Sequence, residues 1–529
     1  MLSIRSILGT ISALLLCVFA LPATAQSFKV QCPTTTTLHP TPAPLNANPA
    51  GGQIKCQQIS GGDGYATMAD GTQTYLFSFG PLSGLADIRS GLPGTEQAAV
   101  FNTVGDPTNL ALLGNGTWAG YNGAVGLQQD PQVGDDPACL SSTPPSYCAT
   151  GLDGHVDPRP IMDTGVMNGN IPAPLMAIDE DDEFFLTLTN VGMIMRPDLF
   201  EQHTVHFHGY PNASAFYDGV PDASVAINIG GSFTYYYLAP DAGTYFWHCH
   251  ITPPEHLQMG MVGQIYVRPR QNRLPSGASL LAGLQAQQAD PRTACGKDIL
   301  CSSPVPASST ANHDNNKSGS PTLYAYNDGD GSTRYDVEYP IQLMGFDPNF
   351  HYVGMTFNPE AFADMKDKYF MISGRGYPDT VNTDVDNGAS PHGPIYTLDS
   401  DGASRSSQPE ATLITINRTS GQKRALLRIS DLNVTEFHTL ATVGVPMLVI
   451  ADNARLLRDL AGKNLYYRTN SLTLGGGESA DVILDVSGPE YDKCSAAAAC
   501  TFYLYTTNLD HLSNDAENFG GMMTEIRVL

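Results

Sequence analysis

The chain has 529 residues, 42% of them hydrophobic, and carries 27 Lys and Arg against 52 Asp and Glu, a formal net charge of −25. That length holds two or three domains with ordinary cores, and that acidity argues against nucleic acid and anionic membrane surfaces as partners. Only 15% of residues are charged while Gly (52) and Pro (38) are frequent, which predicts many turns and little long helix.

Residues 1–25 have the parts of a secretory signal: Arg5 ahead of the apolar run ILGTISALLLCVFAL, then Ala23-Thr24-Ala25 as a small-residue cleavage site. The expectation is an exported protein, secreted or in a periplasmic or extracellular space. No other apolar run is long enough to span a bilayer, so no membrane span is expected. Cysteine usage agrees with export. Setting aside Cys17 in the signal, eight of the ten cysteines fall into sequence-local pairs: Cys32 with Cys56, Cys139 with Cys148, Cys295 with Cys301, and Cys494 with Cys500. Each is a candidate disulfide in an oxidising compartment. Cys249 is left over.

Residues 26–65 are rich in Pro, Thr and Gly and read as an extended N-terminal segment tied by a disulfide. Thr74–Gly80 reads as a first strand. Residues 83–170 are Gly-, Pro- and Asn-rich with little periodicity, and read as an insertion over one end of the first domain. Trp118 and His155 within it are read as ordinary packing or surface residues. In Ile171–Gly192, Phe184, Leu186 and Leu188 alternate with Phe185, Thr187 and Thr189, which predicts a half-buried strand, with Asp179–Glu183 as a solvated turn before it. HTVHFHG, the turn FYDGVPDA, the strand SFTYYYL and the aromatic strand GTYFWHCH follow, and GQIYVRPR closes the domain near Arg270. Residues 271–320 form a linker with a short helix candidate at Ala278–Ala286. From Pro321 the segments EATLITIN, RALLRISDL, PMLVIAD, ADVILDV, TFYLYTTN and MTEIRVL repeat the all-β sandwich pattern. NTDVDNG partly matches a calcium loop but lacks its Gly and Glu.

Six of the 13 histidines lie between residues 203 and 256, a concentration that points to metal. Two imidazoles, a thiolate and a weak axial thioether make the blue-copper donor set. Here these are His203, His256, Cys249 and Met261, with Met259 as the fallback axial ligand. Zinc is the rival metal, but a structural zinc site wants a closed tetrahedron and no trailing Met. Side chains alternate faces along a strand. Tyr245, Trp247 and Cys249 therefore share one face, and Phe246, His248 and His250 the other. In HTVHFHG, His203 opposes His206 and His208. Cys249 and His203 can then point into the domain, while His206, His208, His248 and His250 form a second imidazole cluster outside it.

HTVHFHG, YDGVP and GTYFWHCHITPPEHLQMGMVGQIYV together resemble the multicopper oxidase family. The resemblance implies two cupredoxin-like Greek-key β-sandwich domains, an all-β fold, with a copper-binding domain at 26–270, the linker at 271–320 and a second domain without a copper motif at 321–529. It implies a type 1 copper on His203, Cys249, His256 and Met261 that oxidises a donor one electron at a time. It also assigns His206, His208, His248 and His250 to a type 2/type 3 copper cluster, reached through the Cys249 backbone. KYFMISGRGYP and EFHTLATVGVPM resemble the family's non-catalytic middle domain. The chain departs from the family in its second half. A full trinuclear cluster needs eight histidines from two domains, whereas the second domain offers His351, His392, His438 and His511, with no H-x-H pair and no thiolate strand. Three functions stay open: an oxidoreductase whose missing ligands come from another subunit, an electron carrier using the type 1 site alone, and a copper-storing or structural secreted protein. Copper nitrite reductase is a trimeric precedent for the first, although His206 stands where its catalytic Asp would be. The expected partners are an electron donor (small molecule, metal ion or redox protein) and further copies of the chain.

Overall fold

The protein was analysed as a computed structural model. It describes residues 28–68, 72–103, 121–127, 155–156, 158–288 (without 198, 210–213 and 240), 310–311, 322–354, 362–381, 396–398, 404–406, 410 and 412–529 (without 460 and 516). The signal segment, Trp118, His313 and His392 lie outside these residues, as do the pairs Cys139–Cys148 and Cys295–Cys301. The disulfides Cys32–Cys56 and Cys494–Cys500 are formed, and Cys249 is a buried free thiol.

The first half is built from β1 (Ile54–Thr67), β2 (Gln73–Pro81), β3 (Met176–Asp179), β4 (Glu183–Gly192), β5 (His206–Phe207), β6 (Ser232–Leu238), β7 (Gly243–His248), helix α1 (Pro253–Gln258) and β8 (Val262–Arg268). One sheet runs β2-β1-β4-β6 and the other β3-β8-β7-β5, so the chain crosses repeatedly between two layers. The core between them joins Ile59, Phe77, Phe79, Phe184, Leu186 and Leu188 from one sheet to Met176, Trp247, Cys249, Ile265 and Val267 from the other. Period 2 holds in β6, where Tyr235 and Tyr237 are buried and Tyr236 is half-buried. Two sheets that bury their inner faces against one another in this way make a β-sandwich.

Three expectations for this half need correcting. Thr74–Gly80 is not the first strand, because Ile54–Thr67, read as part of the extended N-terminal segment, is β1 and pairs with both β2 and β4. β4 is buried on both faces, not one, and Thr187 and Thr189 are fully covered. The N-terminal segment lies over the outer face, held by Lys29 N–H to Ser232 Oγ (2.5 Å) and by His39, whose Nδ1 is 2.6 Å from the Glu183 carboxylate. Asp179–Glu183 is not a solvated turn, because all five residues are buried. Arg270 and Arg273 reach the Asp181 carboxylate (2.8 and 2.9 Å), and Glu180 accepts from Arg270 N–H (2.7 Å) and Asn327 Nδ2 (2.7 Å). Buried charge persists only when it is paired and hydrogen-bonded, and those partners come from the end of the domain and beyond it. The described parts of 83–170, including the helices Leu85–Arg89 and Pro158–Gly165, pack Phe101 and Ile161 with Phe28, Val30 and Leu82 in a satellite core.

After the helix Leu280–Gln288, the second half contains β9 (Val337–Phe346), α2 (Pro348–Gly354), β10 (Tyr369–Ile372), β11 (Ile414–Ile416), β12 (Arg424–Asp431), β13 (His438–Val443), β14 (Met447–Asp452), β15 (Ser471–Leu474), β16 (Ser479–Asp485), β17 (Cys500–Thr506) and β18 (Met523–Val528). One sheet has the order β10-β9-β12-β16-β14 and is extended by short strands, and the other runs β11-β18-β17-β13-β15. Leu427, Ile429, Val482 and Leu484 meet Leu440, Leu504 and Ile526 between them. The protein is therefore an all-β chain of two sandwiches. Among the described residues no helix is long and apolar enough to cross a membrane.

The sandwiches meet through a mixed seam. Phe246 and Val262 pack on Met344, Phe346, Tyr369 and Met371. Thr244 Oγ1 donates to Asp481 (2.6 Å), Arg268 pairs with Glu338 (2.5 Å), and Arg428 pairs with Glu338 (2.9 Å). Burial alone would raise the Glu338 carboxyl, but the two guanidiniums overcome it and bring it down to about 2. A depressed carboxylate contributes stability that is present above its unfolded value near 4.5 and is lost as pH falls toward about 2. Glu338→Gln takes from the buried Arg428 its nearest carboxylate and leaves Asp481 at 3.7 Å, and removing one partner of a buried pair costs about 3–5 kcal/mol. Equilibrium denaturation should show that loss at pH 7, with less acid dependence below pH 4.5 than in the parent.

Candidate metal centre

Two groups of metal-ligating side chains form among the described residues: His203 with Cys249 and His256, and His206 with His208 and His248. Within each group the donor atoms lie within 4.8 Å of one another. The register of β7 generates both. It pairs antiparallel with β5, setting His248 opposite His206, and with β8, setting Trp247 opposite Gly263. A Cβ on Gly263 would stand 2.7 Å from the Trp247 ring, so a glycine is needed for the indole to lie flat there. Cys249 continues β7 by one residue, and its N–H donates to Met261 O (3.1 Å). Residues directly opposite in an antiparallel pair share a face, so Met261 faces the same side as Cys249.

His256 is delivered by α1, whose first two residues, Pro253 and Pro254, have the fixed φ that a first helical turn accepts. The helix is entered through Thr252 at φ 35, a left-handed position that costs a branched residue energy and is held by its surroundings. His203, Cys249 and Met261 are fully buried, as is His256, while Met259 is 1% exposed. Cys249 Sγ lies 3.3 Å from His256 Nδ1 and accepts the Thr204 N–H at 3.4 Å. Burial pushes the thiol up, but the charge and hydrogen bond of His256 hold it below its ordinary value. Burial likewise pushes His256 down, and Cys249 and Glu201 more than offset this, bringing it to about 9. Glu201 Oε2 is 3.5 Å from His256 Nε2, an ion-pair distance, and Nε2 makes no hydrogen bond. Both ring nitrogens of His203 are buried without any partner. An orphaned imidazole is costly in a core, and a soft metal on His203, Cys249 and His256 removes that cost. The donor set therefore fits copper.

In the second group two Nδ1 atoms are tied to backbone carbonyls. His206 Nδ1 donates to Asp218 O (2.7 Å) and His248 Nδ1 to Cys249 O (2.6 Å), and the His208 ring bonds the backbone of Gly477. A carbonyl only accepts, so on His206 and His248 it is Nδ1 that carries a proton, and Nε2 is the nitrogen left for a metal. His208 Nε2 lies 2.9 Å from His248 Nε2. Burial, then the neighbouring imidazoles, lowers His208 to about 4. Burial also lowers His248, to about 3. Rings whose Nε2 atoms converge while their Nδ1–H groups are anchored, as at His248, are the arrangement of metal-bound histidines. His250 joins through ring contacts, 5.0 Å from His206 and 5.5 Å from His248 between centroids.

Six of the eight expected residues make up the two donor groups; His250 lies beside the second through ring contacts, and Met261 is opposite Cys249 in the backbone register. Sequence reasoning missed Glu201, whose cue was its place two residues before His203, and it missed Gly477, for which no local cue exists. In the second sandwich, His351 is buried between the carbonyls of Tyr75 and Gln258 (2.7 and 2.9 Å). His438 sits beside Asp431 (3.2 Å) and His511 beside Glu436 (2.8 Å). None of the three approaches either donor group.

The multicopper oxidase family model matches residues 155–272. The laccase abr2 of Aspergillus fumigatus is 34% identical over 109 residues, 20% of this chain and 17% of its own length. The multicopper oxidase MmcO of Mycobacterium tuberculosis is 35% identical over 92 residues, 17% of each chain. The copper-containing nitrite reductase of Rhizobium meliloti is 35% identical over 109 residues, 20% of this chain and 26% of its own. The match thus spans about a sixth to a quarter of these relatives. Among solved structures, the blue copper oxidase from Nitrosomonas europaea aligns over 68% of this chain and 78% of its own, at 20% identity and a TM-score of 0.41.

Proposed function

We propose that this chain, whose residues 155–272 match the multicopper oxidase family model, is an exported copper-dependent oxidoreductase. It takes electrons singly from a donor at the Cys249 site and passes them to the His206, His208, His248 and His250 site. One observation carries this reading: a single strand presents the buried thiolate on one face and backbone-anchored imidazoles on the other. Copper, when bound, supplies one-electron redox chemistry in both places.

His203, Cys249, His256 and Met261 would hold the first metal, and His206, His208, His248 and His250 the second. Within the chain, the two sites are one peptide apart. Cys249 Sγ connects through its own Cα and carbonyl to the His248 ring, which donates Nδ1–H to that carbonyl. Burial of His203 and His256 keeps water from the first site, while Glu201, about a quarter exposed, leads from solvent to the His256 edge. This is the side on which a small-molecule, metal-ion or redox-protein donor would meet the ligand shell.

The electron-carrier reading has an observation of its own: the turn at Gly477 seats on His208, and the described histidines of the second sandwich are bonded elsewhere. Further copies of the chain would complete the second site from the side of the half-exposed His206 and His250. Copper quantification with electron paramagnetic resonance decides between the readings. Two distinct cupric signals in one chain, with turnover of a donor, are expected. A single thiolate-copper signal without oxygen or nitrite consumption would leave only the carrier.

A further inference from the structure

Gln258 ends the helix that carries His256 and stands directly before the turn to Met261. It is 2% exposed, and all its polar ends but its own N–H terminate on the second sandwich. Its Oε1 accepts from Asp347 N–H (3.0 Å), its Nε2 donates to Asp367 Oδ1 (3.0 Å), and its carbonyl lies 2.9 Å from His351 Nε2. Asp367 is fixed in turn by the Thr435 hydroxyl (2.5 Å). The His351 ring is stacked on Phe346 at 3.5 Å and its other nitrogen meets Tyr75 O on β2, two residues from Phe77, which packs edge-on against His256.

We infer that Gln258, seated in a socket of Asp347, His351 and Asp367, is the positioning residue for the ligand-bearing turn His256–Met261. The inference rests on the copper reading of the Cys249 site. A six-residue helix is too short to hold itself. Its anchors within the first sandwich lie on His256 itself (Phe77 and Glu201) or in the turn beyond, where Ser78 Oγ donates to Gly260 O (2.5 Å) and Cys249 N–H to Met261 O (3.1 Å). The direction of His256 is therefore set from across the domain boundary. The second sandwich, which brings no ligand among the described residues, governs the geometry of the first.

Outer-shell partners of metal ligands typically change affinity about 10–100-fold when removed. In the full-length holoprotein, Gln258→Met and Asp367→Ala should weaken copper retention at the thiolate site by about that factor and alter its paramagnetic resonance spectrum. Asp367→Asn keeps an oxygen for Gln258 and a polar partner for Thr435, and should match the parent. Glu338→Gln loosens the same seam elsewhere, so it should lower thermal stability and leave copper affinity and spectrum unchanged. Should Gln258→Met not fold, the Asp367→Ala and Asp367→Asn pair decides. Unchanged affinity and spectrum in the folded Asp367→Ala variant overturn the inference, as does an equal spectral change in Glu338→Gln. If the parent itself shows no thiolate-to-copper absorption, the copper reading fails and the inference fails with it.

Discussion

Replacing Cys249 with serine is expected to abolish the intense visible absorption of the copper-loaded chain completely. The absorption of a blue site comes from charge donation by the thiolate, and a hydroxyl that stays protonated supplies none. The surroundings of Cys249 are arranged for the anion. Burial opposes it, but His256 at 3.3 Å and the Thr204 N–H at 3.4 Å both stabilise it. Serine is close in size, and the position sits at the end of a strand whose register is fixed on both sides, so the fold should persist. Far-ultraviolet circular dichroism should match the parent while the visible band is gone. A surviving band would mean that the thiolate belongs elsewhere.

His208→Ala is expected to remove the second copper and leave the first. His208 supplies one of the two Nε2 atoms that converge at 2.9 Å, and its ring is anchored on the backbone of Gly477 in the second sandwich. Copper per chain should fall by one, the blue band should remain, and donor turnover should stop. A companion variant separates loss of a ligand from loss of its orientation. Gly477 has φ +88, and a Cβ there would lie 3.1 Å from His208 Cε1 and Nδ1. Gly477→Val therefore crowds the ring without touching any donor atom, and should weaken copper at the second site by about 10–100-fold. If both variants retain full copper content, the second imidazole cluster is not a metal site.

How far the site was legible in the sequence follows from the range of the forces involved. Strand alternation is a property of neighbouring residues, so the parity of Cys249 against His248 could be read directly, and so could that of His203 against His206 and His208. The leftover thiol was legible because pairing partners lay close in sequence, and two of the four pairs are seen formed. The side on which Met261 lies was not local. It needed the antiparallel continuation that sets Met261 against Cys249.

The donor identities, their division between two faces and the all-β class were fixed by residue type and short-range periodicity, because ligand chemistry and backbone alternation do not depend on distant partners. The tertiary structure decided what surrounds them. Asp179–Glu183 looks like a solvated turn until Arg270 and Arg273 fold over it. Which nitrogen of each histidine is free depends on the carbonyls of Asp218 and Cys249 and on the backbone of Gly477. The direction of His256 depends on Gln258 reaching Asp347 and Asp367. Apart from the contact between the neighbours His248 and Cys249, these are hydrogen bonds or ion pairs between segments separated in the chain, and such a contact exists only once packing has removed the water that would otherwise satisfy the same groups.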